Sequence, residues 1–187
     1  MQIALVLLAA GNSVRFGSNK LLHILNGKAM YRHIMDEVAG CESGLFAKKL
    51  LVTQYRELAD DALGLGYGIV RNTDSRAGIS YSIQLAVERL SADRELQGIC
   101  FAVCDQPYLT GATLSAFIHS WEPSGKGMGC LGSGDVLGNP AVFSRAYFPE
   151  LLSLTGDTGG KRVIKKHPED VFVFQVPAKE LEDFDQL

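Results

Sequence analysis

The chain has 187 residues, of which 47% are hydrophobic and 21% charged, an ordinary composition for a globular protein that buries a core. With 18 Lys and Arg against 21 Asp and Glu, the net charge is −3, which argues against the global basic field of a nucleic-acid-binding protein. The apolar stretch 3–10 has no basic segment before it and is too short to span a membrane. We therefore expect a cytoplasmic protein with neither a signal peptide nor a membrane segment.

Apolar runs and helical periodicity alternate along the first two thirds of the chain. The run over 3–10, which a glycine ends, predicts a strand buried on both faces. The later predicted elements are helix 29–40, strand 48–54, helix 56–65, strand 67–70, helix 78–90, strand 98–104 and helix 110–121, with Thr110 as its N-cap. Strand and helix alternate four times, which predicts an open α/β sheet.

The regularity breaks between Pro123 and Pro140, where six glycines predict short strands joined by tight turns. We interpret Gly138, Asn139 and Pro140 as a turn before a strand over 139–144. A short helix over 147–154, a basic helix over 158–167 and a strand over 170–176 follow. We expect this region to cap the sheet. No repeat or linker divides the sequence, which predicts a single domain over 1–187.

The cysteines and histidines indicate no metal site. Cys41, Cys100, Cys104 and Cys130 form no CxxC pair, and two of them flank an apolar strand. Reduced core thiols are the favoured interpretation over metal ligands. The four histidines are scattered, without ligand spacing for zinc.

The stretch LLAAGNSVRFGSNKLL, residues 7–22, follows the first predicted strand directly. At the carboxyl edge of an α/β sheet, glycines let backbone N–H groups approach an anion, and Arg15 and Lys20 can add charge-assisted contacts. The spacing matches neither the Walker pattern G-x4-G-K-[ST] nor the dinucleotide pattern G-x-G-x-x-G. It indicates either a phosphate-binding site or a glycine-rich turn with two exposed basic residues.

Asp105 follows the apolar strand 98–104 in the stretch FAVCDQPYLT, so its carboxylate is expected at the same edge. One carboxylate beside a phosphate site suits Mg²⁺, which takes its other ligands from phosphate and water. Pro107 stiffens this turn. The alternative is an ordinary aspartate that caps a turn before the helix at Thr110.

Together these stretches resemble a known family. LLAAGNSVRFGSNKLL looks like the signature L-x-A-A-G-x-S-x-R-[FM]-G-x-x-K of MobA-like nucleotidyltransferases, and VCDQPYLT resembles their magnesium-binding turn. AGISYSIQLAV and GNPAVFSRAYFPELLSLTGDTGGKRVIKKH are similar to segments of the molybdenum cofactor cytidylyltransferase branch. The resemblance covers nearly the whole chain. It implies a three-layer α/β/α, Rossmann-like fold that transfers a nucleotidyl group from an NTP to a phosphorylated acceptor.

The resemblance also implies roles for residues. The nucleotide pocket would be formed by Ala9, Ala10, Gly11, Arg15, Lys20, Gly78, Ser80 and Ser82. Arg15 and Lys20 would hold the triphosphate and Asp105 would hold Mg²⁺, and these three are the candidate catalytic residues. The Ala-Ala-Gly order is typical of CTP users. The second metal carboxylate of the family lies near the C-terminus, where this sequence offers Asp183 and Asp185 but lacks the family's Thr-Pro-Glu-Asp.

The acceptor side, residues 121–187, would complement a nucleotide-binding part over 1–120. Asn139, Asp157 and Lys161 are candidates for a pocket that holds a pterin and its terminal phosphate. The alternative is a helix start with Asp157 as its N-cap, and the basic run 161–167 is typical of a solvated helix face.

The resemblance favours transfer of CMP from CTP to molybdopterin, with a molybdoenzyme as a possible recipient of the product. Other phosphorylated acceptors remain open: a sugar phosphate, methylerythritol phosphate or phosphocholine. So does a non-catalytic molybdopterin carrier.

Overall fold

A computed structural model describes residues 1–11 and 19–184. Its strands are β1 (Ile3–Ala9), β2 (Ile24–Leu25), β3 (Lys28–Ala29), β4 (Lys48–Thr53), β5 (Gly68–Arg71), β6 (Gly98–Val103), β7 (Met128–Ser133), β8 (Val136–Ser144) and β9 (Val171–Gln175). Its α-helices are α1 (Met30–Ala39), α2 (Arg56–Gly64), α3 (Ile79–Ser91), α4 (Gly111–Trp121), α5 (Phe148–Leu152) and α6 (Lys161–Lys166). The predicted alternation of strands and helices is confirmed, and Thr110 caps α4 by accepting a hydrogen bond from the Thr113 N–H.

Seven strands form one sheet in the order β5-β4-β1-β6-β8-β7-β9, and only β8 runs antiparallel to its neighbours. β2 and β3 form a separate short hairpin. The chain passes from β1 outward through β4 to β5 and then returns to the other side of β1 as β6. The order therefore reverses between β1 and β6, and the carboxyl ends of these two strands flank the switch point where open α/β sheets bind ligands.

Helices cover both faces of the sheet, because the central strands alternate their apolar side chains. Leu5 and Leu7 of β1 pack with α1, α2 and α4 in one buried cluster. Ala4 and Val6 point the other way and pack with α3, α5 and α6 in a second cluster. The predicted α/β/α layers and the mostly parallel sheet are confirmed.

Two predictions for the glycine-rich region are wrong. This region does not cap the sheet, because β7, β8 and β9 extend it at one edge. Gly138, Asn139 and Pro140 do not form a turn, because they lie within β8. The pairing of β8 with β7 jumps from Ala141 to Gly138, so the skipped residues, which share a cis peptide bond, form a bulge. A bulge suits proline, which has no N–H for the ladder.

The core contains three of the four cysteines as free thiols: Cys100, Cys104 and Cys130. Burial raises the pKa of the Cys130 thiol to about 11. These side chains are therefore protonated at neutral pH, which agrees with core thiols. The single tryptophan of the sequence, Trp121, ends α4 and is 2% exposed.

Candidate functional site

The candidate site lies at the carboxyl ends of β1 and β6. Ala9 and Ala10 are buried where β1 ends, while Gly11 is exposed and has open space on its side-chain face. Asp105 follows β6 at the same edge. The structure thus brings together the two segments that the sequence separates by more than ninety positions.

Three successive side chains at the end of β4 brace the backbone at the end of β1. Thr53 Oγ1 and Gln54 Nε2 donate to the first two carbonyls of residues 9–11, each at 2.9 Å, and the Tyr55 hydroxyl donates to the third at 2.6 Å. Ser75 in turn donates to Gln54 Oε1 at 3.2 Å. These bonds fix the path of the chain into the loop. The brace is not evident from the sequence, although Thr53 and Gln54 end a predicted strand at the same edge and Tyr55 follows it.

Lys20 and Asp105 form an ion pair at this edge. Lys20 Nζ lies 2.6 Å from Asp105 Oδ2, and the two side chains are 19% and 21% exposed. A cation and a carboxylate thus lie in contact at this edge, and Lys20 is not the exposed basic residue of the alternative interpretation. Arg15, the other predicted triphosphate ligand, lies outside the described residues, and its role stays a prediction.

Two hydrogen bonds hold Asp183 and Phe184, near the end of the described chain, against the turn that contains Asp105. Gln106 Nε2 donates to Asp183 Oδ1 at 2.9 Å, and the Phe184 N–H donates to the Asp105 carbonyl at 2.8 Å. Asp185, the second candidate for a metal ligand near the C-terminus, lies outside the described residues.

The donors at this corner fit a hard divalent cation. Asp105 and Asp183 offer carboxylate oxygens from adjoining segments, and Mg²⁺ or Mn²⁺ uses one or two carboxylates together with phosphate and water. Within 1–11 and 19–184, no group of three or more His, Cys, Asp and Glu side chains could hold a metal ion. A cation here would complete its coordination with water or phosphate oxygens.

Gly78, Ser80 and Ser82 lie where α3 begins. Gly78 has φ +86°, and a Cβ on it would lie 2.3 Å from the Gly156 carbonyl oxygen, so only glycine permits this contact. Ser80 and Ser82 are buried, and the Ser82 hydroxyl accepts a hydrogen bond from Asn72 Nδ2 at 2.8 Å. Their contact with base and ribose stays a prediction.

The acceptor candidates occupy the β8 edge and the loop before α6. Lys161 Nζ donates to the Leu137 carbonyl at 2.8 Å, which places it beside the strand that contains Asn139. Asp157 follows the loop residue that Gly78 touches. α6 begins at Lys161 with Gly160 as its N-cap, so Asp157 is not the cap of this helix.

Three further basic residues of the run are exposed on α6, as a solvated helix face requires: Arg162, Lys165 and Lys166. His167 follows the helix and is half-buried beside Glu150. Among the residues that the structure covers, no helix is long and apolar enough to cross a membrane.

Comparisons with known proteins agree with this architecture. The chain is 31% identical over 125 residues to the bifunctional protein GlmU of Staphylococcus saprophyticus, covering 65% of this chain and 26% of that protein. It spans about a quarter to two fifths of the length of such curated relatives.

Solved structures match over almost the whole chain. Rv0371c of Mycobacterium tuberculosis, solved in complex with manganese, has a TM-score of 0.76 at 26% identity and covers 94% of this chain and 89% of its own. A nucleotidyl transferase from Methanothermobacter thermautotroptrophicus shares the fold, with a TM-score of 0.76 at 22% identity over 98% of this chain and 92% of its own. Residues 5–171 match the MobA-like NTP transferase domain, and the chain belongs to this family.

Proposed function

We propose that this protein is a nucleotidyltransferase that moves a nucleotidyl group from an NTP to a phosphorylated acceptor, with Mg²⁺, and releases pyrophosphate. The observation that carries the proposal is the ion pair of Lys20 and Asp105 at the switch point of the sheet. In this proposal Lys20 would bind phosphate oxygens and Asp105 would bind the metal, both at the edge of the sheet where the segment Ala9–Gly11 lies.

The chemistry of this transfer suits the described residues. An acceptor phosphate is already ionised, so it can attack the α-phosphorus in line without a general base. Positioning and neutralisation of charge then supply the catalysis. Mg²⁺, when bound, would act as a Lewis acid on the phosphate oxygens.

Lys20 would act on the leaving group. Its ammonium, which pairs with Asp105 here, is placed to contact phosphate oxygens of a nucleotide at the same edge. Negative charge grows on the pyrophosphate as the bond to the α-phosphate breaks, so the lysine stabilises the transition state more than the bound substrate.

The finer proposal is transfer of CMP from CTP to molybdopterin. The Ala-Ala-Gly order at 9–11 supports CTP, as in the family branch that the sequence resembles. A methyl group on Ala10, in place of a glycine, would leave less room for a purine than for a pyrimidine at the end of β1. Asn139, Asp157 and Lys161 would bind the acceptor, and a molybdoenzyme would take the product.

The test is an assay of pyrophosphate release with each NTP against molybdopterin, sugar phosphates, methylerythritol phosphate and phosphocholine. We expect release with CTP and molybdopterin, and competition with equal CTP and GTP should favour CTP. Equal use of GTP would overturn the cytidylyl assignment. Release with another acceptor alone would overturn the molybdopterin assignment. Binding of molybdopterin without any release would indicate a carrier and overturn the enzyme.

A further inference from the structure

We propose that Gln106 is a positioning residue that places the Asp183 carboxylate beside Asp105, so that the two form one cation site. The inference rests on the proposed function, because it assigns both carboxylates to the metal. It explains how this chain assembles a second ligand although the Thr-Pro-Glu-Asp stretch of its family is missing.

The amide of Gln106 connects the Asp105 turn to the C-terminal segment, defined here as residues 178–184. Gln106 is 4% exposed, and its Nε2 donates to Asp183 Oδ1 at 2.9 Å and to the Leu181 carbonyl at 3.2 Å. Because Gln106 is the next residue after Asp105, a bond from its side chain fixes Asp183 relative to that carboxylate.

The carbonyl oxygen of the Gln106 amide indicates that the side chain contributes through its N–H donors. Gln106 Oε1 is buried and has no hydrogen-bond partner among the described residues. An unsatisfied buried polar atom destabilises the folded state, a cost that an apolar residue of the same size would avoid. The two bonds of Nε2 are the contribution of glutamine that an apolar side chain cannot replace.

A neutral donor suits this task. A lysine or arginine at position 106 would hold Asp183 too, but its positive charge would oppose a cation. The glutamine amide orients the carboxylate through one oxygen and leaves its negative charge in place. Hydrogen bonds of this kind orient metal ligands, and their loss typically weakens metal binding about 10–100-fold.

Other contacts hold the C-terminal segment independently of Gln106. Lys179 Nζ lies 3.7 Å from the centre of the Tyr108 ring, and the Thr110 N–H donates to Glu180 Oε2 at 3.3 Å. The His23 and Phe184 rings stack with centroids 5.6 Å apart. Loss of the Gln106 bonds should therefore weaken the positioning of the Asp183 carboxylate without detaching the segment.

The test is direct binding of Mn²⁺, measured by electron paramagnetic resonance with full-length Gln106→Met. Methionine keeps the length and volume of the side chain but removes both donors. We expect the Kd for Mn²⁺ to rise about tenfold. The kcat at saturating Mg²⁺ should recover toward the wild-type value, because excess metal rescues a positioning defect. Gln84→Met is the matched control, since Gln84 Nε2 also donates to two carbonyls, those of Leu152 and Leu154, and should leave the Kd unchanged.

Asp183→Asn completes a double-mutant cycle. If Gln106 acts through Asp183, the double variant should bind Mn²⁺ about as weakly as Asp183→Asn alone. Additive effects, or a Gln106→Met protein within twofold of wild type, would overturn the inference. Should Gln106→Met fail to fold, Gln106→Asn carries the same test, because its shorter amide cannot reach Asp183.

Asp105→Asn separates this inference from the proposed function. Loss of Mn²⁺ binding in Asp105→Asn with unchanged binding in Gln106→Met would overturn only the positioning role. Unchanged binding in Asp105→Asn would overturn the cation site, and the inference with it.

Discussion

Lys20 and Asp105 partly neutralise each other across 2.6 Å while both remain about one fifth exposed. Before substrate arrives, the ammonium occupies the carboxylate that a metal would need. A triphosphate offers the ammonium a better partner, so nucleotide and metal should bind cooperatively at this corner. The Lys20–Asp105 ion pair would therefore couple the binding of the two ligands.

Asp105→Asn should abolish most Mg²⁺-dependent transfer while the protein stays folded, because it removes a ligand charge at an edge turn without opening a cavity. We expect kcat/KM to fall roughly 10²–10³-fold, the usual loss when one stabilising group for transition-state charge is removed. Pyrophosphate release and circular dichroism measure the two effects. Asp60→Asn is the control, since Asp60 is a well-exposed surface carboxylate paired with Arg56. Full activity at low Mg²⁺ in the folded variant would contradict the metal role.

Lys20→Met should lower kcat more than it raises the KM for nucleotide, because the lysine is worth most when charge develops on pyrophosphate. The same change frees Asp105, so Mn²⁺ should bind the nucleotide-free variant several-fold more tightly, in keeping with the roughly 1 kcal/mol of a partly exposed ion pair. Steady-state kinetics and Mn²⁺ titration test the two halves. Lys48→Met is the control: it breaks the ion pair with Asp93 and should change neither kcat nor the affinity for Mn²⁺. A variant in which only KM rises would show that Lys20 only binds.

At the scale of elements, the close contact between the start of α3 and the loop before α6 depends on Gly78. Gly78 touches the peptide of Gly156 and Asp157, and the Ser80 N–H donates to the Gly156 carbonyl at 3.3 Å. This contact joins the predicted nucleotide side to the predicted acceptor side without any charged group. Its geometry depends on a backbone conformation that other residues rarely adopt.

Gly78→Ala should lower the free energy of unfolding by about 2 kcal/mol or more, because φ +86° and the nearby carbonyl both oppose a Cβ. Chemical denaturation measures the loss. Gly64→Ala is the matched control: it lies in the last turn of α2 with open space around its side-chain position, and it should be neutral or slightly stabilising. Equal free energies of unfolding for the two variants would show that the backbone around Gly156 can move to accommodate a Cβ at position 78, and would contradict the prediction.

At the scale of the whole molecule, Asp170 links the chain segments before β7 and β9 at the edge of the sheet. Its carboxylate accepts hydrogen bonds from the Tyr147 hydroxyl at 2.6 Å and from the Gly127 N–H at 2.9 Å. The bond from Tyr147, and then that from Gly127, lowers the pKa of Asp170 below its ordinary value of 3.8. Three distant parts of the chain thus meet at one ionised group before β7 and β9.

Low pH should weaken the hydrogen bonds that the Asp170 carboxylate accepts. A carboxyl whose pKa is lower in the folded state contributes stability above its unfolded pKa and loses it as pH falls through the folded value. Asp170→Asn should therefore reduce stability at pH 6 and flatten the loss of stability as the pH falls below about 4. Urea denaturation across this range measures both slopes. Parallel slopes for the variant and the wild type would contradict the role of Asp170.

The sequence allowed much of this fold to be predicted, because apolar strands such as β1 and β6 and periodic helices such as α3 are local signals. Strand order beyond β6 is not local: the bulge at Asn139 and Pro140 depends on pairing with β7, so a turn was predicted instead. At the site, the family resemblance pointed to Lys20 and Asp105. It could not show the bond of Gln106 to Asp183, which joins residues 77 positions apart.

The position of Trp121 gives the protein its own optical probe. A Cβ on Gly129 of β7 would lie 2.8 Å from the indole, and one on Gly98 of β6 would lie 3.5 Å from it, so the ring packs closely against these two strands. As the sole tryptophan it gives a fluorescence signal with one origin. Its emission should shift to longer wavelength in a single step on unfolding if 1–187 is one domain. Ligands that bind at Lys20 or Asp105 without disturbing the core should leave the wavelength of maximum emission unchanged.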